Sequence, residues 1–161
     1  MLNKRKLVRR RRKEGAVVKI PLFGGAYSLG IVLKEPLVSF FDKKFIDEDG
    51  AVSIENLPVA FTIMVMNDAV TSGRWEVVGE ATIPERLRTA PKFCKQDQVS
   101  GALSIYHEVS DLAPHYERPA LPGECVGLEA AAVWEAEHVE DRLRDHFSGV
   151  PNKWVEQLRV K

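Results

Sequence analysis

The sequence predicts a single α+β domain, in which an antiparallel β-sheet or a small SH3-like barrel is followed by a C-terminal helix. Apolar and polar residues alternate through the N-terminal part with the period of two that is typical of strands. Residues 132–147 instead repeat apolar side chains at helical spacing. The length of 161 residues suits one domain, and a hydrophobic content of 45% is enough for a core that needs neither a disulfide nor a metal.

The first two strands are predicted to form a β-hairpin. Residues 17–22 and 27–34 each alternate with period two, and Gly24 and Gly25 lie in the turn between them. These glycines lack the Lys-Ser/Thr ending of a phosphate-binding loop, and no helical pattern follows them. A third strand is predicted at 37–42.

The middle of the chain is predicted to continue mainly as strands and loops. Residues 59–66 are almost wholly apolar, which is typical of a central strand buried on both faces. The other segments are interpreted as a polar connection at 43–58 with a turn at 47–50, a strand at 75–83, an irregular segment at 84–98, a last long strand at 101–109 and a surface loop at 110–124.

A helix is predicted to close the domain. Its apolar face recurs at steps of four, three, four and four, through Ala132, Ala136, Val139, Leu143 and Phe147. This spacing predicts a helix over about 130–147, and Gly149 and Pro151 supply the stop. Residues 154–158 form a short final element whose type the pattern leaves open.

Charge is distributed unevenly although the formal net charge is zero. Residues 1–13 hold eight of the 23 basic side chains and no acid, so 15 basic and 23 acidic residues remain in 14–161, a net charge of −8. We therefore predict a flexible basic tail over 1–13 and a single α+β domain over 14–161. Three roles of the tail stay open: a solvated arm, a contact with an anionic surface or nucleic acid, and a clamp onto the acidic body.

The sequence also predicts a cytoplasmic protein without a membrane contact. No segment reaches the roughly 18 apolar residues that a membrane span needs, and the basic N-terminus is not followed directly by the apolar stretch of a secretory signal. Cys94 and Cys125 are expected to be buried free thiols in a reducing compartment, although two cysteines can form one bridge.

No residue spacing indicates a metal, a cofactor or a catalytic group. A metal site could combine Cys94, His107 and Cys125 with one of His115, His138 or His146, but the first three are separated by 13 and 18 residues, which matches no zinc signature. There is no GxSxG or HExxH run, and paired carboxylates are no more frequent than 23 acids produce by chance. We expect no catalytic residues, no metal and no cofactor.

The predicted helix has an acidic side, which is the candidate partner-binding site. Its carboxylates are Glu135, Glu137, Glu140, Asp141 and Asp145. This side is either a solvated face with intrahelical pairs such as Glu140 to Arg144, or a docking surface for a basic protein. A nuclease carries basic charge to hold phosphates, so an inhibitor can present carboxylates in their place. Trp134 and Trp154 flank the helix and are expected in the core.

Four segments together resemble the immunity protein 26 family. The segments are Gly15-Ala16-Val17-Val18-Lys19-Ile20-Pro21-Leu22, Tyr27-Ser28-Leu29-Gly30-Ile31-Val32-Leu33, Trp75-Glu76-Val77-Val78-Gly79 and Glu124-Cys125-Val126-Gly127-Leu128-Glu129. The resemblance runs through most of 14–149. It implies a bacterial cytoplasmic antitoxin, encoded beside a polymorphic or contact-dependent toxin, that binds and blocks the toxin without chemistry of its own.

Three hypotheses of function follow. The first is an immunity protein that neutralises a cognate toxin domain, a basic protein such as a nuclease. The second is a nucleic-acid-associated module that uses the basic tail, although the acidic body disfavours it. The third is a small enzyme, which would need a polar pocket with perturbed titratable groups. The oligomeric state is not indicated by the sequence.

Overall fold

A computed structural model of the chain describes residues 9–46, 53–107 and 116–161. In these residues the fold is mixed α+β, with ten strands in two sheets and three α-helices. The predicted turn at 47–50 lies outside the described residues. The strands of the larger sheet are β1 (Ala16–Pro21), β2 (Tyr27–Val32), β3 (Leu37–Phe41), β4 (Val59–Val65), β5 (Glu76–Glu80) and β10 (Val133–Trp134).

The larger sheet is open. Its strand order is β10-β4-β3-β2-β1-β5, so among the described strands β10 and β5 are its edges and no barrel closes. The sequential strands pair antiparallel, and β5 returns to lie against β1. Only the two-residue β10 pairs in parallel, alongside β4. The prediction of an antiparallel sheet followed by a helix is confirmed, in its open-sheet form.

The predicted N-terminal hairpin is confirmed. Val17 lies opposite Ile31, and the pairing continues to the turn, where Pro21 lies opposite Tyr27. Gly24 and Gly25 take φ values of 65° and 78° in that turn. Residues with a Cβ rarely adopt this left-handed conformation, so the two glycines permit the connection.

A second, four-stranded sheet corrects the interpretation of the C-terminal half. Its strands are β6 (Phe93–Gln96), β7 (Leu103–His107), β8 (Tyr116–Pro119) and β9 (Glu129–Ala130), in the order β8-β7-β6-β9. The segment expected to be irregular at 84–98 therefore contains β6, and the strand expected at 101–109 is not the last. Strands of four residues are too short to show a clear alternation, and in β6 the two buried residues, Phe93 and Cys94, are adjacent.

Three α-helices complete the described fold: α1 (Asp68–Thr71), α2 (Ala136–Ser148) and α3 (Lys153–Gln157). The predicted C-terminal helix is α2, but it begins at Ala136, later than the apolar spacing suggested. The residues just before it are held by β9, which pairs with β6, and by β10, which pairs with β4. Sheet pairing therefore overrides the helical pattern there. Gly149 ends α2 in the left-handed conformation, with φ 69°.

The larger sheet has an apolar core on each face, because successive strand residues point to opposite sides. Val18 and Ile20 pack on the face covered by α2, where Val139 and Leu143 are fully buried. Val17 on the same strand packs on the opposite face, against the 81–93 segment and the second sheet; that core also contains Leu29, Ile31, Phe41, Phe45, Met64 and Phe93. The sheet is thus the middle layer of three.

The described part of the basic segment lies against the body. The backbone N–H of Arg10 donates to Thr71 O at 2.9 Å, and Arg12 Nη2 donates to Leu37 O at 2.8 Å. Desolvation by burial lowers the pKa of Arg12. Lys13 Nζ lies 2.8 Å from Glu80 Oε2. Arg10, Arg12 and Lys13 thus contact the body, while the flexible tail over 1–13 and its role stay predictions.

Cys94 and Cys125 form a disulfide, with their Cα atoms 5.3 Å apart. The expectation of two free thiols is therefore wrong. Cys94 lies on β6, which pairs with β9, and Cys125 ends a short 3-10 helix, Pro122–Cys125, just before β9. The second sheet thus brings together two residues 31 positions apart in the sequence. Spacing along the chain contains no sign of this pairing.

Candidate functional site

The acidic side of α2 carries the five predicted partner-binding residues. The structure separates these five into two groups. Glu135 and Glu137 are exposed, next to the start of the helix, whereas the other three are held by contacts within the protein. The candidate site is therefore not one uniform surface.

Glu140 is buried, with 4% of its surface exposed, and this corrects its assignment to the exposed side. Its carboxylate accepts a hydrogen bond from Arg74 Nε at 2.9 Å. The predicted intrahelical pair with Arg144 is also wrong, because Arg144 lies 3.7 Å from Asp141 instead. Arg74 comes from the segment before β5, a partner that helical spacing could not identify.

Asp141 and Asp145 hold α3 against α2. Asp141 accepts a hydrogen bond from Trp154 Nε1 at 3.1 Å, and Asp145 accepts one from Asn152 Nδ2 at 2.8 Å. The Asn152 side chain also accepts from two backbone N–H groups at the start of α3, so it caps that helix. Both carboxylates are half-buried, and their first role is to position the C-terminal helix.

Glu135 and Glu137 are the carboxylates of this group that point into solvent. Glu135 is the N-cap residue of α2 and makes no side-chain capping bond. Glu137 lies 3.6 Å from Arg74 Nη1, with 70% of its side chain exposed. An exposed ion pair of this kind contributes little to stability. These two residues remain available for contact with a partner.

The two flanking tryptophans lie in different surroundings. Trp134 is buried, as expected, and Arg142 lies 5.0 Å from its ring centroid. Trp154 is half-buried and stacks on His138, with ring centroids 3.6 Å apart. Neither ring forms a large exposed aromatic surface that could dominate an interface.

A second surface, which the sequence did not indicate, lies along β5. A groove of about 810 Å³ has a floor formed by β1 and β2, with Val17, Lys19, Tyr27 and Leu29, and it extends beside β5 at Val78. Its walls are formed by 79–85 with Arg88 and by 53–55. The floor residues are those on the face opposite α2. Pairing of β5 with β1, which is distant in sequence, creates this surface.

The groups considered for metal binding or catalysis do not converge. In the described ranges no three His, Cys, Asp or Glu side chains form a cluster able to hold a metal ion. Cys94 and Cys125 are joined to each other, and His107 Nε2 lies 2.9 Å from Ala90 O. His146 Nε2 contacts Asp42 Oδ1 at 2.7 Å on the surface. His115 lies outside the described residues.

Among the described residues, the carboxylates of Asp97 and Glu124 have lowered pKa values, and both accept hydrogen bonds within local turns. Backbone N–H groups of Ser100 and Val99 lower the pKa of Asp97, and the N–H of Leu121 together with Arg118 lowers that of Glu124. Hydrogen bonds to the ionised carboxylate explain both shifts. Each stabilises a local loop conformation, and neither group lies in the groove.

The fold and its surfaces define a small α+β protein with exposed acidic side chains. The sequence model of the family described as Immunity protein 26 matches residues 13–103, more than half of the chain. The chain belongs to this family, and the resemblance is confirmed. Three of the four resembling segments lie in the matched range, and the segment at 124–129 lies beyond it. No curated protein and no solved structure matches the chain.

Within the described residues, no helix has the length and apolar character needed to cross a bilayer. The longest helix, α2, has 13 residues and carries charged side chains on its outer side.

Proposed function

We propose that this chain is a non-catalytic immunity protein, which binds the toxin domain of a polymorphic or contact-dependent system in the bacterial cytoplasm and blocks it. Membership of the Immunity protein 26 family is the observation that carries the proposal. The matched range, 13–103, includes the N-terminal hairpin and β5. Both the acidic first turn of α2 and the groove beside β5 are surfaces on which a protein partner can dock.

The cognate toxin domain is proposed to be basic and of the nuclease class. Residues 14–161 carry a net charge of −8. A nuclease needs a basic surface to hold phosphates, and an acidic inhibitor associates rapidly with such a surface because opposite charges steer the encounter. Rapid association is useful to a cell that must neutralise the toxin before it reaches its substrate.

The predicted partner-binding residues contribute unequally to this encounter. Glu135 and Glu137 present their charge to solvent, whereas Glu140 has its charge offset by Arg74. Asp141 and Asp145 remain half-exposed while they hold α3. The first turn of α2 is therefore the part of the predicted site best suited to attract a basic partner.

The alternative of a nucleic-acid-associated module gains no support from the described basic segment. Arg12 is half-buried against the body, and Lys13 is paired with Glu80. Basic side chains engaged in this way are poorly placed to neutralise phosphates.

The test uses the C-terminal domain encoded by the gene immediately upstream, mixed with this protein in an assay of the toxin's activity. A binding inhibitor blocks the toxin's activity at a one-to-one ratio, and this activity returns when the complex dissociates. An enzyme would instead inactivate the toxin at substoichiometric amounts. Absence of both binding and protection would show that the proposed function is wrong.

A further inference from the structure

We propose that β5 is the edge on which the toxin adds an extended strand with basic side chains. This inference rests on the proposed function and names the surface and the partner segment. It differs from the acidic turn of α2, which acts at long range during encounter. The β5 edge holds the partner by backbone hydrogen bonds, as in other cases of strand addition.

β5 is the most accessible sheet edge in the described part of the fold. The edges β9 and β10 have only two residues each, and β8 contains Pro119, which has no N–H to donate. Short strands and prolines are devices that block edge pairing. β5 has five residues without proline, and all but Val77 are exposed. Its one irregularity is a β-bulge at Val78, where the register with β1 shifts by one residue. A partner strand therefore meets the least obstruction at β5.

The outer backbone groups of β5 are oriented for pairing. The N–H of Ala81 points towards β1, where it donates to Gly15 O at 2.9 Å. In an extended chain the next residue back points the opposite way, so the N–H and C=O of Glu80 face away from β1. No backbone hydrogen bond joins 76–80 to a described segment other than β1. An added strand would satisfy these groups.

The charges on β5 select the partner. Glu76 and Glu80 lie at its two ends, and the exposed Val78 lies at its centre. A β-bulge at Val78 places Glu76 opposite Lys19 and Glu80 opposite Ala16, so the two carboxylates lie on opposite faces of the sheet. A strand with lysine or arginine next to each of these positions would face a carboxylate on both faces. The edge thus favours a basic strand.

The groove gives the added strand a place for side chains. Val78 lines both the edge and the groove, and Ile83 and Ile54 supply further apolar walls. Glu55 also lines the groove, and its carboxylate makes no ion pair in the described residues. Alternate side chains of a strand point to the same face. Those on the groove side of the added strand would enter a space that is apolar in part and that is lined by Glu55 as well as by the basic residues Lys19 and Arg88.

The experiment measures binding kinetics and amide exchange with the full chain and the upstream-encoded toxin domain. Glu80→Lys is compared with Glu156→Lys, because each breaks one exposed ion pair and changes the net charge equally. We expect Glu80→Lys to raise the Kd about tenfold and Glu76→Lys/Glu80→Lys to raise it about a hundredfold. The Kd of Glu156→Lys should stay within about twofold of that of the unmodified protein.

Amide exchange gives the second readout, and it needs no variant. The backbone N–H of Glu80 should exchange at least about tenfold more slowly in the complex, because the added strand would accept its hydrogen bond. If the toxin binds but Glu80 exchange and the Glu80→Lys affinity are unchanged, the strand-addition inference is wrong while the immunity function stands. If the domain does not bind the unmodified protein, both are wrong.

Discussion

Arg74 holds the buried carboxylate of Glu140, with Nε 2.9 Å from Oε2. The Glu140 side chain is 6% exposed, whereas that of Arg74 is 41% exposed. The hydrogen bond to Glu140 raises the pKa of Arg74 above its ordinary value. Arg74 also contacts Glu137 and directly precedes Trp75, whose side chain is fully buried just before β5. The pair therefore ties the first turns of α2 to the edge strand of the sheet.

Removal of Arg74 should destabilise the protein more than removal of an exposed arginine. Arg74→Ala leaves a buried carboxylate without its partner, and we expect a loss of about 1–3 kcal/mol in the free energy of unfolding. The control is Arg88→Ala, which removes an exposed pair with Glu85 and should cost less than about 1 kcal/mol. Urea denaturation measures both. Equal losses of unfolding free energy in the two variants would mean that the buried pair with Glu140 stabilises the protein no more than an exposed pair does.

Leu143 should be a major contributor to the core beneath α2. It is fully buried among residues of the larger sheet and α2. Leu143→Ala removes this contact and leaves a cavity, so we expect a loss of about 2–5 kcal/mol. Leu158→Ala, at the partly exposed end of α3, serves as the control. If the melting temperatures of the two variants coincided, the packing of α2 on the sheet would be contradicted.

The Cys94–Cys125 disulfide should stabilise the second sheet. It closes a segment of 31 residues, and cross-links over loops of this size contribute about 2–4 kcal/mol, mainly by restricting the unfolded chain. Reductant should lower the melting temperature of the unmodified protein but leave Cys94→Ala/Cys125→Ala unaffected. Equal responses of the two proteins to reductant would show that the bridge contributes nothing.

The same bridge bears on the proposed cytoplasmic location. Disulfides are rare in reducing compartments and common in oxidising ones. Because both residues are buried, free thiols are alkylated under denaturing conditions in protein taken directly from the producing cells, and mass measurement then reports the state of Cys94 and Cys125. Modified thiols are expected if the protein acts in a reducing cytoplasm, and a protected pair would place it in an oxidising environment.

The first turn of α2 should control the rate of association with a basic toxin domain. Glu135→Lys/Glu137→Lys reverses two exposed charges, and steering by opposite charge changes on-rates by roughly 10–1000-fold at low salt. We therefore expect slower association, little change in dissociation, and a smaller difference at high salt. Glu135→Gln/Glu137→Gln should give a smaller effect in the same direction. If the association rate measured by surface plasmon resonance were insensitive to both salt and substitution, this turn would not be part of the encounter surface.

Much of the candidate site could not be predicted from the helix pattern alone. Helical spacing assigns residues to sides of α2, but it does not show what covers each side. Glu140 was expected in solvent and is buried because Arg74, distant in the sequence, reaches it. Asp141 and Asp145 face α3, whose position depends on the turn after Gly149 and on the Asn152 cap. Contacts across sequence distance decided the exposure of these carboxylates.

The sequence by itself determined the elements whose signals are local. Alternation through 17–34 and two adjacent glycines specify the hairpin, and the repeat through Val139 and Leu143 specifies the buried face of α2. Only the tertiary structure decided that Cys94 meets Cys125 and that β5 closes against β1 as an edge. Periodicity follows from the geometry of one element, whereas strand order and side-chain partners follow from packing between elements distant in the chain.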